Sequence, residues 1–158
     1  MRRGTALLYL TLALVTVLSC TLRADAPLAK SAPTTAASYA QEVVRLINVQ
    51  RVKAGLPALV SEAILFTVAQ VKADDMRSKG YFSHTSPTYG SPFAMLRRFG
   101  VPFRAAAENL AKGYRTPASV VAGWLGSSAH RSNVLSKNLT HTGVGVAGDL
   151  WVEMFRQP

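Results

Sequence analysis

Four side chains in this sequence have the types and context to share chemistry: His84, Glu108, Ser127 and His130. They fall in three separate stretches. The densest is Trp124-Leu125-Gly126-Ser127-Ser128-Ala129-His130-Arg131-Ser132-Asn133-Val134-Leu135, where imidazole, guanidinium, hydroxyl, amide and indole groups crowd together. The others are Tyr81-Phe82-Ser83-His84-Thr85-Ser86-Pro87 and Ala107-Glu108-Asn109-Leu110-Ala111. If the three meet in one cleft, three kinds of chemistry are open to them. His84 and His130, with Glu108 as a third ligand or as an outer residue that orients a ligand, could hold zinc or another divalent metal, with water completing the set. Ser127, or Ser83, beside His130 and Glu108 could act as nucleophile, base and orienter. No nucleophile elbow is recognisable, however, and no oxyanion hole can be named from spacing. The third arrangement is a cleft that holds a ligand, braced by a His-Glu-His hydrogen-bond network. Glu108 stands isolated among Ala, Asn and Leu, so it faces solvent or is buried against a partner, and burial alone is costly. The histidines could supply that partner.

The elements that must position these groups are readable from periodicity. Ser38 opens a helix with Gln41 at the capping-box spacing, and Val43, Val44, Ile47 and Val52 recur at helical intervals until Gly55 and Pro57 stop it. Glu42, Arg45, Gln50, Arg51 and Lys53 read as the outward face, although Asn48 and Arg51 lie close enough to the Gly55-Leu56-Pro57 turn to hydrogen-bond its backbone. Ser61 starts a second helix with Ile64, Leu65, Val68, Val71 and Met76 on one side and Gly80 as its stop. Tyr81 to Tyr89 has no period and reads as a loop. Ser91-Pro92 opens a short helix with Phe93, Met95, Leu96 and Phe99 as its apolar face, and Val101 to Ala107 runs as a strand into Glu108. Thr116-Pro117 starts a fourth helix with Val120, Val121, Trp124 and Leu125 inward, the Trp124 indole NH requiring an acceptor. A further helical turn follows through Val134. Thr142–Ala147 and Leu150–Phe155 form a hairpin around Gly148-Asp149. Gly143 and Gly145 leave one strand face bare for a close neighbour, for which the His130 segment is the candidate. Arg131 and Asn133 read as fixing the His130 turn through backbone hydrogen bonds, and His141 as a surface residue outside the site.

Composition bounds the class. The 158 residues suit one domain, and 49% apolar against 16% charged content supports a real core. A net charge of +10 and a pI near 10.4 come from dispersed cations with no aromatic-basic nucleic-acid signature, so no nucleic-acid role is expected. Such a surface favours anionic partners such as phospholipid or wall polymers. Arg2 and Arg3 precede an apolar run from Ala6 to Leu18, the pattern of a secretory signal and too short for a comfortable membrane span. Val17-Leu18-Ser19-Cys20 resembles a bacterial lipobox with Cys20 as the lipidated residue, though Leu18 is larger than usual there. Cleavage near Ala24 or Ala26 is the alternative. Cys20 is the single cysteine, which excludes an intrachain disulfide and any Cys-based metal site and suits a bacterial exported protein. The organisation expected is a signal over 1–20, a disordered tether over 21–37 and a domain over 38–158.

These motifs together resemble the CAP superfamily of cysteine-rich secretory, antigen 5 and pathogenesis-related proteins, and most of all its bacterial SCP-like extracellular branch. The resemblance rests on Asn48 to Leu59, Tyr81 to His84, Ala107 to Ala111, Trp124-x-x-Ser127-x-x-His130-Arg131-x-Asn133 and Gly143 to Val146, in that order. It implies an α+β fold, an α-β-α sandwich with a central, mainly antiparallel sheet between helical layers. It also implies a cleft lined by His84, Glu108 and His130. The family's second glutamate falls at Ser127, which weakens acid-base schemes built on a carboxylate pair. A Pro-Gly pair before the second histidine is replaced by Ser128-Ala129. The function implied is an exported or lipid-anchored module that binds a lipid, wall polymer or protein ligand at the cell envelope. A metal-dependent or serine-type hydrolase using the same cleft is the alternative. The chain is expected to be a monomer that meets membrane only through an N-terminal lipid anchor.

Overall fold

The computed structural model describes residues 35–158. The signal over 1–20, Cys20 and the tether as far as residue 34 lie outside the described residues. Residues 35–37, assigned to the tether from sequence, are helical. The elements are α1 (Thr35–Lys53), β1 (Val60–Ser61), α2 (Ala63–Lys79), α3 (Pro92–Arg98), β2 (Ala105–Lys112), α4 (Pro117–Gly126), α5 (Ser128–Val134), β3 (His141–Ala147) and β4 (Leu150–Gln157). Ala32–Pro158 forms one compact unit with both hydrophobic cores inside it, the property of a segment that folds on its own.

The sheet runs β1-β3-β4-β2, with β1 parallel to β3 and the other pairs antiparallel. Strand alternation then divides the side chains between two layers. Val144, Val146, Trp151 and Phe155 pack against α1 and α4 in one core, while Leu110, Val152 and Met154 pack against α2 and α3 in the other. This is the expected α-β-α sandwich.

Local differences from the sequence reading have local causes. In α1 the buried stripe is Ala40, Val43, Val44, Ile47 and Arg51, whereas Val52 is 62% exposed. Arg51 follows Ile47 by four residues, and its hydrogen bonds outweigh Val52's hydrophobicity in setting the face. Its guanidinium donates to the carbonyls of Pro57, Val134, Ser136 and Leu139, joining the end of α1 to the connection after α5. Asn48 pairs with the Leu59 backbone in both directions. Ser61 belongs to β1, not to α2, because the backbone NH groups of Val60 and Glu62 bond to Thr140 and Thr142. Strand β2 begins at Ala105, not Val101, and Phe93 is 43% exposed instead of inward. The bare glycine face meets α2, not the His130 segment. A Cβ on Gly143 would lie 2.2 Å from the Phe66 nitrogen, and one on Gly145 2.2 Å from the Ala69 carbonyl carbon.

That backbone-on-backbone contact cannot absorb a methyl group. Gly145→Ala is expected to lower the unfolding free energy in urea titration by about 3 kcal/mol. Gly126→Ala, at a helical position with open space around it, should be neutral or stabilising by up to about 1 kcal/mol.

Candidate functional site

Strand β2 is an edge of the sheet, and the site forms where both helical layers reach that edge. From the α2 layer comes the loop after Gly80, which ends the helix with a positive φ of 67° and returns its NH to the Met76 carbonyl. Asp75 organises this loop. Its carboxylate accepts from Ser86 Oγ at 2.6 Å, Thr88 Oγ1 at 2.6 Å and Tyr81 Oη at 2.5 Å, and pairs with Lys79 at 3.0 Å. Burial alone would raise the acid's pKa, but the Ser86, Thr88, Tyr81 and Lys79 donors hold it well below its usual range. The Tyr81 phenol, buried and donating to that carboxylate, is pushed up to about 12. Lys72, one turn before Asp75 and buried, donates to the His84 carbonyl at 2.9 Å and lies over the Tyr81 ring. The loop thus presents His84, its side chain 58% exposed, with Nδ1 at 2.7 Å from Glu108 Oε1.

From the opposite layer, Asn109 points to α5. Its amide donates to the His130 carbonyl at 3.2 Å, and its oxygen accepts from Asn133 Nδ2 at 2.9 Å. Asn133 therefore supports the turn through a side chain, where the sequence suggested a backbone bond. Arg131 does reach backbone, donating to the Leu125 carbonyl. Trp124 finds its acceptor in the Leu110 carbonyl, which docks α4 on β2. Adjacent strand positions thus serve the two sides of the cleft: Glu108 holds the first histidine and Asn109 the second. Ser127 lies at the start of α5, half-buried, and its hydroxyl makes no hydrogen bond to either imidazole. His141 begins β3, bonded to Thr140, outside this arrangement.

The His84–Glu108 contact has the geometry of an ion pair but the energetics of a neutral one. Glu108 is buried, and burial lifts it from 4.5 to about 8 against the opposing pull of the Lys72 cation. Burial, with Lys72 adding to it, lowers His84 below its usual value. His130 is lowered by burial and then by His84, which places the two imidazoles within electrostatic reach of each other. Both shifts favour the uncharged forms, a carboxylic acid beside a neutral imidazole. Glu108 Oε2 has no partner, so the acid proton is best placed on Oε1, donating to Nδ1. The remaining ring proton of His84 then sits on Nε2.

Among the described residues, no group of three or more His, Cys, Asp or Glu side chains is arranged to hold a metal ion. Of the two roles open to Glu108 beside a metal held by His84 and His130, ligand or orienter of a ligand, its contact with His84 Nδ1 from a buried position has the geometry of the orienter. Lys72, Asp75 and Asn109 are the supporting residues that sequence reasoning missed. Lys72 carried a signal: it falls four after Val68 and four before Met76, on the apolar stripe of α2.

Residues 44–150 match the family of cysteine-rich secretory proteins, CAP. The chain belongs to this family. It is 46% identical over 127 residues to YkwD of Bacillus subtilis and 38% identical over 115 residues to the membrane protein YlbC of the same organism. Those matches cover 79% and 73% of this chain, but 49% and 33% of the relatives, so the chain spans about half and a third of their lengths. An extracellular SCP-domain protein of Bacillus anthracis superposes with a TM-score of 0.76 at 32% identity, covering 81% of this chain and 45% of that one. An outer surface protein of Borrelia burgdorferi shares the fold alone, with a TM-score of 0.69 at 22% identity over 74% of this chain and 90% of that one.

The neutral pair makes stability pH-dependent. Glu108 keeps its proton when folded and loses it when unfolded, so its contribution is full below about 4.5 and is lost as pH rises towards 8. Urea titrations from pH 5 to 8 should therefore show wild type losing stability relative to Glu108→Gln. His84 and His130 act with the opposite sign in both proteins and cancel from that difference. Calorimetric zinc titration of residues 32–158, beside a His84→Ala/His130→Ala variant, should give binding weaker than micromolar.

Proposed function

We propose that this CAP domain is an exported binding module of the cell envelope, and that its ligand site is the cleft between the His84 loop and the α5 turn. The observation that carries this reading is the 2.7 Å contact of His84 Nδ1 with the buried Glu108 carboxyl. It fixes one imidazole through Nδ1 and leaves its Nε2–H free to donate, beside a second neutral imidazole at His130. Such a site suits uncharged hydroxyl and amide groups, as a wall polymer offers. A hydrolase would need an activated nucleophile, and neither Ser127 nor Ser83 is hydrogen-bonded to a histidine; Ser83 Oγ instead accepts from the Thr85 NH. Export is supported by the signal-like start of the sequence and by the extracellular SCP-domain relative.

Two measurements test this together. A fluorophosphonate probe should leave the protein unlabelled, and wall glycopeptide fragments should shift the His84 and His130 ring resonances in NMR spectra. Both shifts should vanish in His84→Ala. Labelling that Ser127→Ala abolishes would establish the hydrolase instead.

A further inference from the structure

The acids and bases of this chain are segregated. From Met76 to Gly148 the sequence contains nine lysines and arginines and a single acid, Glu108. All nine cations are exposed, and the acid is buried. Within that span α3 gathers cations and aromatic rings on one surface. The Arg97 guanidinium lies 5.1 Å over the Phe103 ring, and Phe103 lies 6.1 Å from Phe93. On the other flank Arg98 lies 5.3 Å over Tyr89, itself 6.1 Å from Phe99. Arg104 follows Phe103 directly and is exposed. No carboxylate pairs with Arg97, Arg98 or Arg104 among the described residues. Phe93 remains 43% exposed with guanidinium groups close by.

We propose that this α3 surface docks the domain on an anionic phospholipid bilayer. The charge complementarity is one-sided: Arg97 and Arg98 are held over aromatic rings, Arg104 is exposed beside them, and none of the three is paired with a carboxylate, so all can meet phosphate oxygens. The exposed ring distinguishes the partner. A soluble polyanion would satisfy the arginines but gives Phe93 nothing to enter, whereas the headgroup boundary of a bilayer accepts an aromatic side chain and its flanking cations together. The arginines and Phe93 of this surface are not among the residues assigned to the ligand site, so either reading can fail while the other stands.

The test is co-sedimentation of residues 32–158 with vesicles of phosphatidylcholine alone or mixed with phosphatidylglycerol. Binding is expected to the mixed vesicles only and to weaken with added salt. Arg97→Gln/Arg98→Gln/Arg104→Gln should lower the partition coefficient at least about tenfold. Phe93→Ser alone should lower it at least about threefold. A matched variant, Lys53→Gln/Arg115→Gln/Lys137→Gln, removes the same charge from exposed positions elsewhere and should retain most binding; thermal melts confirm that each variant is folded. Three results would overturn the proposal. They are no binding to the mixed vesicles, equal losses in the two triple variants, and Phe93→Ser without effect while polyphosphate binds as tightly as the vesicles.

Discussion

Helix α2 lies directly on the backbone of β3, at a distance that only Gly143 and Gly145 permit. That contact fixes the height and rotation of α2 over the sheet, and the site follows from it. With Leu65, Val68 and Met76 committed to the core, Lys72 and Asp75 must fall on the inner side of the helix as well. There they find no solvent, so their polar groups need partners. The loop after Gly80 supplies them: hydroxyls for Asp75, and the His84 carbonyl for Lys72. Two glycines on a strand thus determine where a histidine on a distant loop is held.

The same logic runs through β2 on the other side. An edge strand has one neighbour in the sheet, and its free side is where both helical layers can bring loops. Successive residues point to opposite faces, so Glu108 and Asn109 address opposite layers at the same place. Glu108 is charged with cost and stays neutral; Asn109 is polar without charge and takes up the carbonyl of one residue and the amide of another. Behind Asn109 in the register sits Glu153, fully buried, accepting from Thr142 and raised well above the usual carboxyl range by burial. Both buried carboxyls of the sheet are therefore pushed towards the neutral acid, while the buried charges of Lys72 and Asp75 are met by the loop that carries His84.

The elements with strong periodicity and clear punctuation were legible before the fold. Ser91-Pro92, Thr116-Pro117 and the Gly148-Asp149 turn each mark a boundary through a local rule, and the structure honours all three. The partnership of His84 with Glu108 was legible because an isolated carboxylate in an apolar strand demands a partner. What was not legible depended on distance in three dimensions. Arg51 was legible as a donor to the turn at Pro57, which it is; its burial was not, because that follows from three further carbonyls more than eighty residues away. Glycine alternation announced a close neighbour without saying which. Ser127 stood close to His130 in sequence without a nucleophile elbow around it, and only geometry could show that its hydroxyl makes no hydrogen bond to either imidazole.

Charge completes the argument. A formal charge of +10 counts Glu108 and Glu153 as anions, yet burial holds both towards the neutral acid. Each of these two acids thus contributes less negative charge in the folded domain than its residue type states. Glu108 and Glu153 of the sheet go inside, where desolvation holds them towards neutrality, while all nine lysines and arginines between Met76 and Gly148 stay outside, where water and anionic surfaces can reach them.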